Sequence, residues 1–194
     1  MLLLNFPGTG ALAEVKLRTL GSRSMILVVA GVAGSGKTTV GQLLARRLGW
    51  QFADGDTFHP AANIAKMRAG LPLTDADREP WLAAITAWMD DVIASGQSAV
   101  LACSALKRSY RDRLIGDREQ AVLVFLTMTR AQGEARLRAR AGHFFREPLI
   151  ASQFAVLEPP GPAERRVYPV PTSDGPPGQV VTEIIRKLRL RPAS

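Results

Sequence analysis

Eight residues, Gly31-Val32-Ala33-Gly34-Ser35-Gly36-Lys37-Thr38, satisfy the phosphate-binding pattern G-x-x-x-x-G-K-[ST] without a mismatch. The spacing has a chemical reason. Glycine lets the backbone turn through φ > 0 and come close to a polyphosphate. The loop amides and the positive end of the following helix then face the anion. Lys37 is placed to neutralise the β- and γ-phosphates, and the Thr38 hydroxyl to ligate Mg²⁺. Thr39 completes the candidate nucleotide-binding set. A chance glycine turn is the alternative, and the flanking pattern argues against it. The loop points to a nucleoside triphosphate with magnesium and leaves open what receives the γ-phosphate.

Two further groups carry chemistry. Asp54-Gly55-Asp56 puts two carboxylates after a short apolar run, where metal and substrate gather in open α/β sheets. Its bland reading is a solvated turn. Arg136 and Arg140 are four residues apart, hence on one helix face, with His143 and Arg146 just beyond. Arginines on a closing flap can cover phosphates and exclude water. A solvated basic face is the competing reading.

Positioning these residues needs elements, and the chain supplies them in alternation. Met25 to Ala30 reads as a buried strand, followed by the glycine loop and a helix over Thr39–Leu48. Gly49 is the expected C-cap. Gln51-Phe52-Ala53 is a second strand. His59-Pro60 opens a helix through Ala69. Thr74-Asp75-Ala76-Asp77 reads as an N-terminal cap for a helix that restarts at Pro80 and runs to Ser95. Ala99–Cys103 and Ala121–Leu126 are buried strands, with helices over Arg108–Leu114 and Ala131–Arg140. Gly142–Pro148 is a loop, followed by a helix to Leu157. Val167–Val170 is a last strand, and Val180–Leu190 an amphipathic helix. Strands alternating with helices predict a parallel sheet covered on both faces.

Bulk properties narrow the class. A chain of 194 residues with 46% hydrophobic residues suits one globular domain. No apolar run approaches the roughly 20 residues that cross a bilayer, so no membrane partner is expected. The single Cys103 excludes an internal disulfide and suits a reducing cytoplasm. The net charge of +8 raises the question of nucleic acid, yet the basic residues are dispersed over 46–47, 107–113, 130–146, 165–166 and 186–191. Steering of anionic substrates fits that dispersion better, and no nucleic-acid partner is expected. Residues 1–24 read as an extension, either a leader or an early start, before a domain spanning 25–194 with a lid at about 136–152.

Longer blocks then become recognisable. Asp54-Gly55-Asp56-Thr57-Phe58-His59-Pro60, Asn63-Ile64-Ala65-Lys66-Met67 and Pro72-Leu73-Thr74-Asp75-Ala76-Asp77-Arg78-Glu79-Pro80-Trp81-Leu82 closely resemble the gluconate kinase family. So do Cys103-Ser104-Ala105-Leu106-Lys107, Gly142-His143-Phe144-Phe145, Ser152-Gln153-Phe154 and Leu157-Glu158-Pro159. The resemblance runs from Met25 to about Pro160, weakens over 160–178 and is absent over 1–24. It implies an α/β P-loop kinase fold like adenylate and shikimate kinases, with a lid. It implies transfer of the ATP γ-phosphate to the 6-hydroxyl of D-gluconate, Mg²⁺ dependence, a cytoplasmic location and a homodimer.

The resemblance and the chemistry together suggest roles. Asp54 holds magnesium through water. Asp56 hydrogen-bonds the acceptor hydroxyl and takes its proton. Arg78 and Lys107 grip substrate oxygens, since a guanidinium can bind a carboxylate bidentately. His59, Lys66, His143 and Gln153 are candidates for its hydroxyls, with structural hydrogen bonds as the alternative. Arg136 resembles a lid arginine stacking on adenine, and Arg140 one reaching the phosphates. Ala141 departs from the pattern, where many relatives have lysine; Arg130, Arg138 or Arg146 would have to substitute. Other readings remain: a kinase for another small acid or polyol such as shikimate, and a nucleotide-dependent RNA-binding module.

Overall fold

The apolar runs pair side by side into one parallel sheet. In the computed structural model, which describes residues 24–139, 147–172 and 175–193, the strands are β1 (Ile26–Ala30), β2 (Gln51–Asp54), β3 (Ala99–Ala102), β4 (Ala121–Thr127) and β5 (Val167–Pro171). Their order is β2-β3-β1-β4-β5. Ile26 lies level with Ala99 on one side and Ala121 on the other, and every pairing is parallel. The helices are α1 (Lys37–Leu48), α2 (Ala61–Arg68), α3 (Asp75–Ala94), α4 (Arg108–Ile115), α5 (Arg130–Ala139), α6 (Glu147–Val156) and α7 (Pro177–Lys187), with a 3₁₀ turn at Gly55–Phe58.

Period-2 alternation along β1 divides the core. Ile26, Val28 and Ala30 face a layer built from Trp81, Ile85 and Met89 of α3 and Leu114 of α4. Leu27 and Val29 face Val40 and Leu44 of α1 and Val181 and Ile184 of α7. Each face is therefore sealed, which is why β1 and β4 carry no polar residue before Thr127. Because the strands are parallel, their C-terminal ends lie along one edge. That edge receives the glycine loop after β1, Asp54 at the end of β2, and Cys103–Lys107 after β3.

The expected α/β architecture is present, with differences at element boundaries; α6 begins at Glu147, inside the expected Gly142–Pro148 loop, α7 ends at Lys187 rather than Leu190, and three others have a clear cause. First, α3 does not restart at Pro80 but runs unbroken. A proline so near the N-terminus removes one early hydrogen bond. Thr74 and Asp77 form a reciprocal capping box, and the buried side chains of Trp81, Leu82 and Ile85 anchor the next turns. Second, α7 begins at Pro177, before the expected Val180, because proline's fixed φ suits a first helical turn. Third, β5 runs one residue past the expected Val170 to Pro171, and an edge strand tolerates both Pro169 and Pro171. Gly49 caps α1 in the left-handed region, as expected. The proposed leader, apart from Ser24, and the 140–146 stretch of the lid lie outside the described residues. Among the described residues no helix is long and apolar enough to cross a membrane.

One buried ion pair ties the proline-rich segment before β5 to the sheet edge. The Arg111 and Glu164 side chains are 1% and 3% exposed, with Nε donating to Oε2 at 2.7 Å and Nη2 to Oε1 at 2.9 Å. Arg111 Nη1 also donates to the Ala105 and Leu106 carbonyls at 3.3 and 2.9 Å, and the guanidinium lies 5.5 Å from the Phe125 ring centre. Burial alone would raise the Glu164 carboxyl, but the Arg111 hydrogen bonds and the Gly161 amide outweigh it and hold it below its ordinary value. Its contribution to stability is therefore complete above the ordinary glutamate pKa of about 4.3 and is lost as pH falls through the lower folded value. Glu164→Ala leaves a buried guanidinium uncompensated and should cost about 3–5 kcal/mol in urea denaturation; adding Arg111→Met should recover part of that loss.

Candidate active site

The glycine loop is shaped by what surrounds it. Gly31 has φ 142, and a Cβ there would stand 2.7 Å from the Leu126 carbonyl oxygen and 2.8 Å from Ser35 Oγ. Only glycine fits that approach. Its amide donates to the Ser104 carbonyl at 3.2 Å, which joins the loop to the segment after β3. Gly36 caps α1 from the left-handed region, so the free amides of the first turn open toward the loop. The Lys37 ammonium folds back onto the Val32 carbonyl at 3.1 Å. Burial pulls its pKa below the ordinary lysine value against the pull of Asp56 and Asp54. A polyphosphate beside it would act in the opposite sense and favour the charged form.

Beside the loop lies a cleft of about 640 Å³, walled by Gly34, Gly36 and Thr39 on one side and Gln132, Arg136 and Thr172 on the other. Arg136 Nη1 donates to Thr172 Oγ1 at 3.0 Å. The candidate base-side arginine thus borders the same cleft as the loop. Arg140 and His143 lie outside the described residues.

The two carboxylates at the end of β2 take different positions. Asp54 Oδ2 accepts from the Thr38 hydroxyl at 3.2 Å, and Oδ1 accepts from the Asp56 amide at 3.1 Å. A hydroxyl and a carboxylate side by side form a hard oxygen donor set of the kind Mg²⁺ prefers. Among the described residues no cluster of three or more His, Cys, Asp or Glu side chains forms a dedicated metal cage. Gly55 lets this turn press on β3, since a Cβ there would lie 2.8 Å from the Ala102 carbonyl oxygen. Asp56 is exposed. Cys103 lies nearby, but burial pushes its thiol up to about 12, so it is inert as a nucleophile.

The other candidate residues divide. Arg78 and Lys107 come together around Asp75. Lys107 Nζ donates to both Asp75 oxygens at 2.7 Å, Arg78 Nη1 lies 3.8 Å from Oδ1, and the Tyr110 hydroxyl donates to the same carboxylate. Both cations also lie over the Tyr110 ring, 5.9 and 5.7 Å from its centre. His59 stacks on Trp81 with ring centres 4.7 Å apart and planes 8° apart, and Trp81 Nε1 donates to the Gly55 carbonyl at 2.7 Å. Lys66 is paired with Asp77 at 2.6 Å, within the α3 cap. Gln153 is not with this group: its Oε1 accepts from the Ala33 amide at 2.6 Å, so it rests on the glycine loop.

Sequence reasoning missed Asp75, Tyr110, Asn63 and Trp81 as parts of the site. Asp75 was hidden by its position in a capping pattern, though its spacing of three from Arg78 is a usable signal on a helix. Tyr110 sits in a basic helical segment and Trp81 in an apolar run, neither a signal of a site, and both are buried.

Comparison with known proteins places the chain in a family. The family model described as Shikimate kinase matches residues 33–189. The gluconokinase of Gluconobacter oxydans is 47% identical over 169 residues, covering 86% of this chain and 93% of that protein. The thermoresistant gluconokinase of Escherichia coli is 38% identical over 164 residues, covering 84% and 94%. Among solved structures, a gluconokinase from Sinorhizobium meliloti 1021 superposes with a TM-score of 0.75 at 41% identity, covering 87% of this chain and 92% of that one. A shikimate kinase from Aquifex aeolicus, at 18% identity and a TM-score of 0.52, shares the fold. With relatives of this identity along most of its length, and with the glycine loop and the fold they share, the chain belongs to the gluconokinase family, within the reach of the shikimate kinase model.

Proposed function

We propose that the chain transfers the γ-phosphoryl group of ATP to the 6-hydroxyl of D-gluconate, giving 6-phospho-D-gluconate and ADP. The observation that carries this reading is the convergence of two cationic centres on one edge of the sheet. Lys37 and the loop amides suit the nucleotide tail; Arg78 and Lys107, which share Asp75, suit a carboxylate. Relatives named gluconokinase at 38–47% identity select the acid over shikimate.

The chemistry follows from these groups. The loop amides and Lys37 hold the β- and γ-phosphates. Magnesium fits beside Thr38 and, through water, Asp54; when bound, it supplies charge neutralisation on the phosphates. The acceptor oxygen forms a bond to the γ-phosphorus as the bond to the bridging oxygen breaks, and the electron pair leaves with ADP. In a loose transition state the hydroxyl proton departs late, so Asp56 serves chiefly to aim the hydroxyl and receives its proton at the end. Arg136 borders the base cleft, and Arg140 and His143 are assigned to the closing lid by family resemblance. His59, Lys66 and Gln153 complete the proposed acceptor side by the same resemblance. Gln153 and Lys66 act there only by exchanging their present partners, the Ala33 amide and Asp77. By resemblance the protein is also read as a cytoplasmic homodimer, for which light scattering during gel filtration is the test.

Coupled detection of ADP across aldonic acids, shikimate and free sugars tests the substrate. Turnover fastest on gluconate supports the reading, and turnover on shikimate alone overturns it. Asp56→Asn should lower kcat by about 10²–10⁴-fold with nucleotide affinity nearly unchanged, as measured by steady-state kinetics and calorimetry. Arg78→Ala should raise the gluconate KM by about 10–100-fold, the loss expected for a charge-assisted hydrogen bond, while the ATP KM changes little.

A further inference from the structure

The acceptor side contains one side chain whose proton can be placed by elimination. Asn63 is 3% exposed, and its Nδ2 lies 2.7 Å from the Asp77 backbone carbonyl. A carbonyl oxygen only accepts, so the atom facing it is the amide nitrogen. That orientation turns the second N–H of the same nitrogen toward His59 Nδ1, 3.3 Å away. An amide nitrogen cannot accept a hydrogen bond, so a proton on Nδ1 would meet a proton on Nδ2. Nδ1 must present its lone pair, and the ring hydrogen must sit on Nε2.

Three observations hold the ring in that state. The face-to-face stack on Trp81 fixes its plane, and Trp81 is itself pinned to the Gly55 carbonyl between the two catalytic-side carboxylates. Burial pulls the imidazole below its ordinary value, with Asp56 opposing and Arg78 reinforcing that shift. Those two are the charged groups that act on the ring, so both Asp56 and Arg78 lie within electrostatic reach of it. Among the described residues, Nε2 has no hydrogen-bond partner in the protein.

From this geometry we infer that Asn63 is a positioning residue that locks His59 as a neutral Nε2–H donor, aimed at an oxygen of the acceptor substrate. The inference rests on the acceptor reading of this pocket and deepens it. A ring in this state cannot take a proton at Nε2, which already carries one. His59 is thereby removed as a general base, and the two groups divide their work: His59 gives a hydrogen bond to one substrate oxygen, and Asp56 accepts one from another. The position demands a lone pair from the ligand, which a hydroxyl or carboxylate oxygen supplies and a methylene does not.

The test is spectroscopic. The chain has two histidines, so selective ¹⁵N labelling of the imidazoles gives a simple long-range ¹H–¹⁵N spectrum, with His59 assigned by its loss in His59→Gln. At neutral pH the wild-type ring should show a protonated Nε2 and a bare Nδ1, and adding D-gluconate should shift Nε2 far more than Nδ1. Asn63→Leu should admit Nδ1-protonated forms and raise the gluconate KM on the order of tenfold, with the ATP KM unchanged, as expected for one lost neutral hydrogen bond. A wild-type ring protonated at Nδ1 would overturn the inference whether or not the variant folds. So would an Nε2 indifferent to gluconate in an enzyme that phosphorylates it, or an Asn63→Leu ring unchanged in its proton position. Failure to phosphorylate any sugar acid would overturn the acceptor reading itself, and that failure appears in the kinetics rather than in the spectrum.

Discussion

Positive charge gathered at one sheet edge needs internal partners, and the structure supplies them. Each cation has an internal acceptor. Lys37 rests on the Val32 carbonyl, Lys107 on the Asp75 carboxylate, and Arg136 donates to Thr172. Like charges held this close would repel without such partners. Asp75 is the clearest case. It is exposed, so its attraction to Lys107 is screened by water.

Other groups fix the segment that carries Lys107. Arg111 fastens the Ala105 and Leu106 carbonyls, and Ala105 is driven to φ 39 on the way to Lys107. Glu158 closes the same segment from the other side, accepting from the Arg108 amide at 2.6 Å while its own amide donates to Leu106. The strained turn persists because these bonds over-determine it. A buried ion pair is weak evidence for stability in general. Here its value is geometric, since it joins the segment before β5 to the loop that carries Lys107.

Much of this was legible in the chain. The glycine loop, the parallel sheet, the order of the helices and the family emerged from local pattern, because a phosphate-binding loop needs glycines at fixed offsets and a covered parallel strand needs unbroken apolar residues. Boundaries moved where tertiary packing outweighed local propensity, as at Pro80, where the anchored Trp81 and Ile85 keep the helix whole.

The sequence by itself determined which residue types stand at which spacing, and so the class of chemistry and the elements that deliver it. Only the tertiary structure decided how those residues are paired. Lys66 reads as a substrate cation and is found on Asp77; Gln153 reads as a substrate contact and is found on the Ala33 amide; Asp75 reads as a cap and is found between two cations. The physical reason is that hydrogen-bond partners in a parallel α/β fold come from distant strands and helices. Asn63 turns His59 by way of a carbonyl on another helix, and no spacing along the chain encodes that angle.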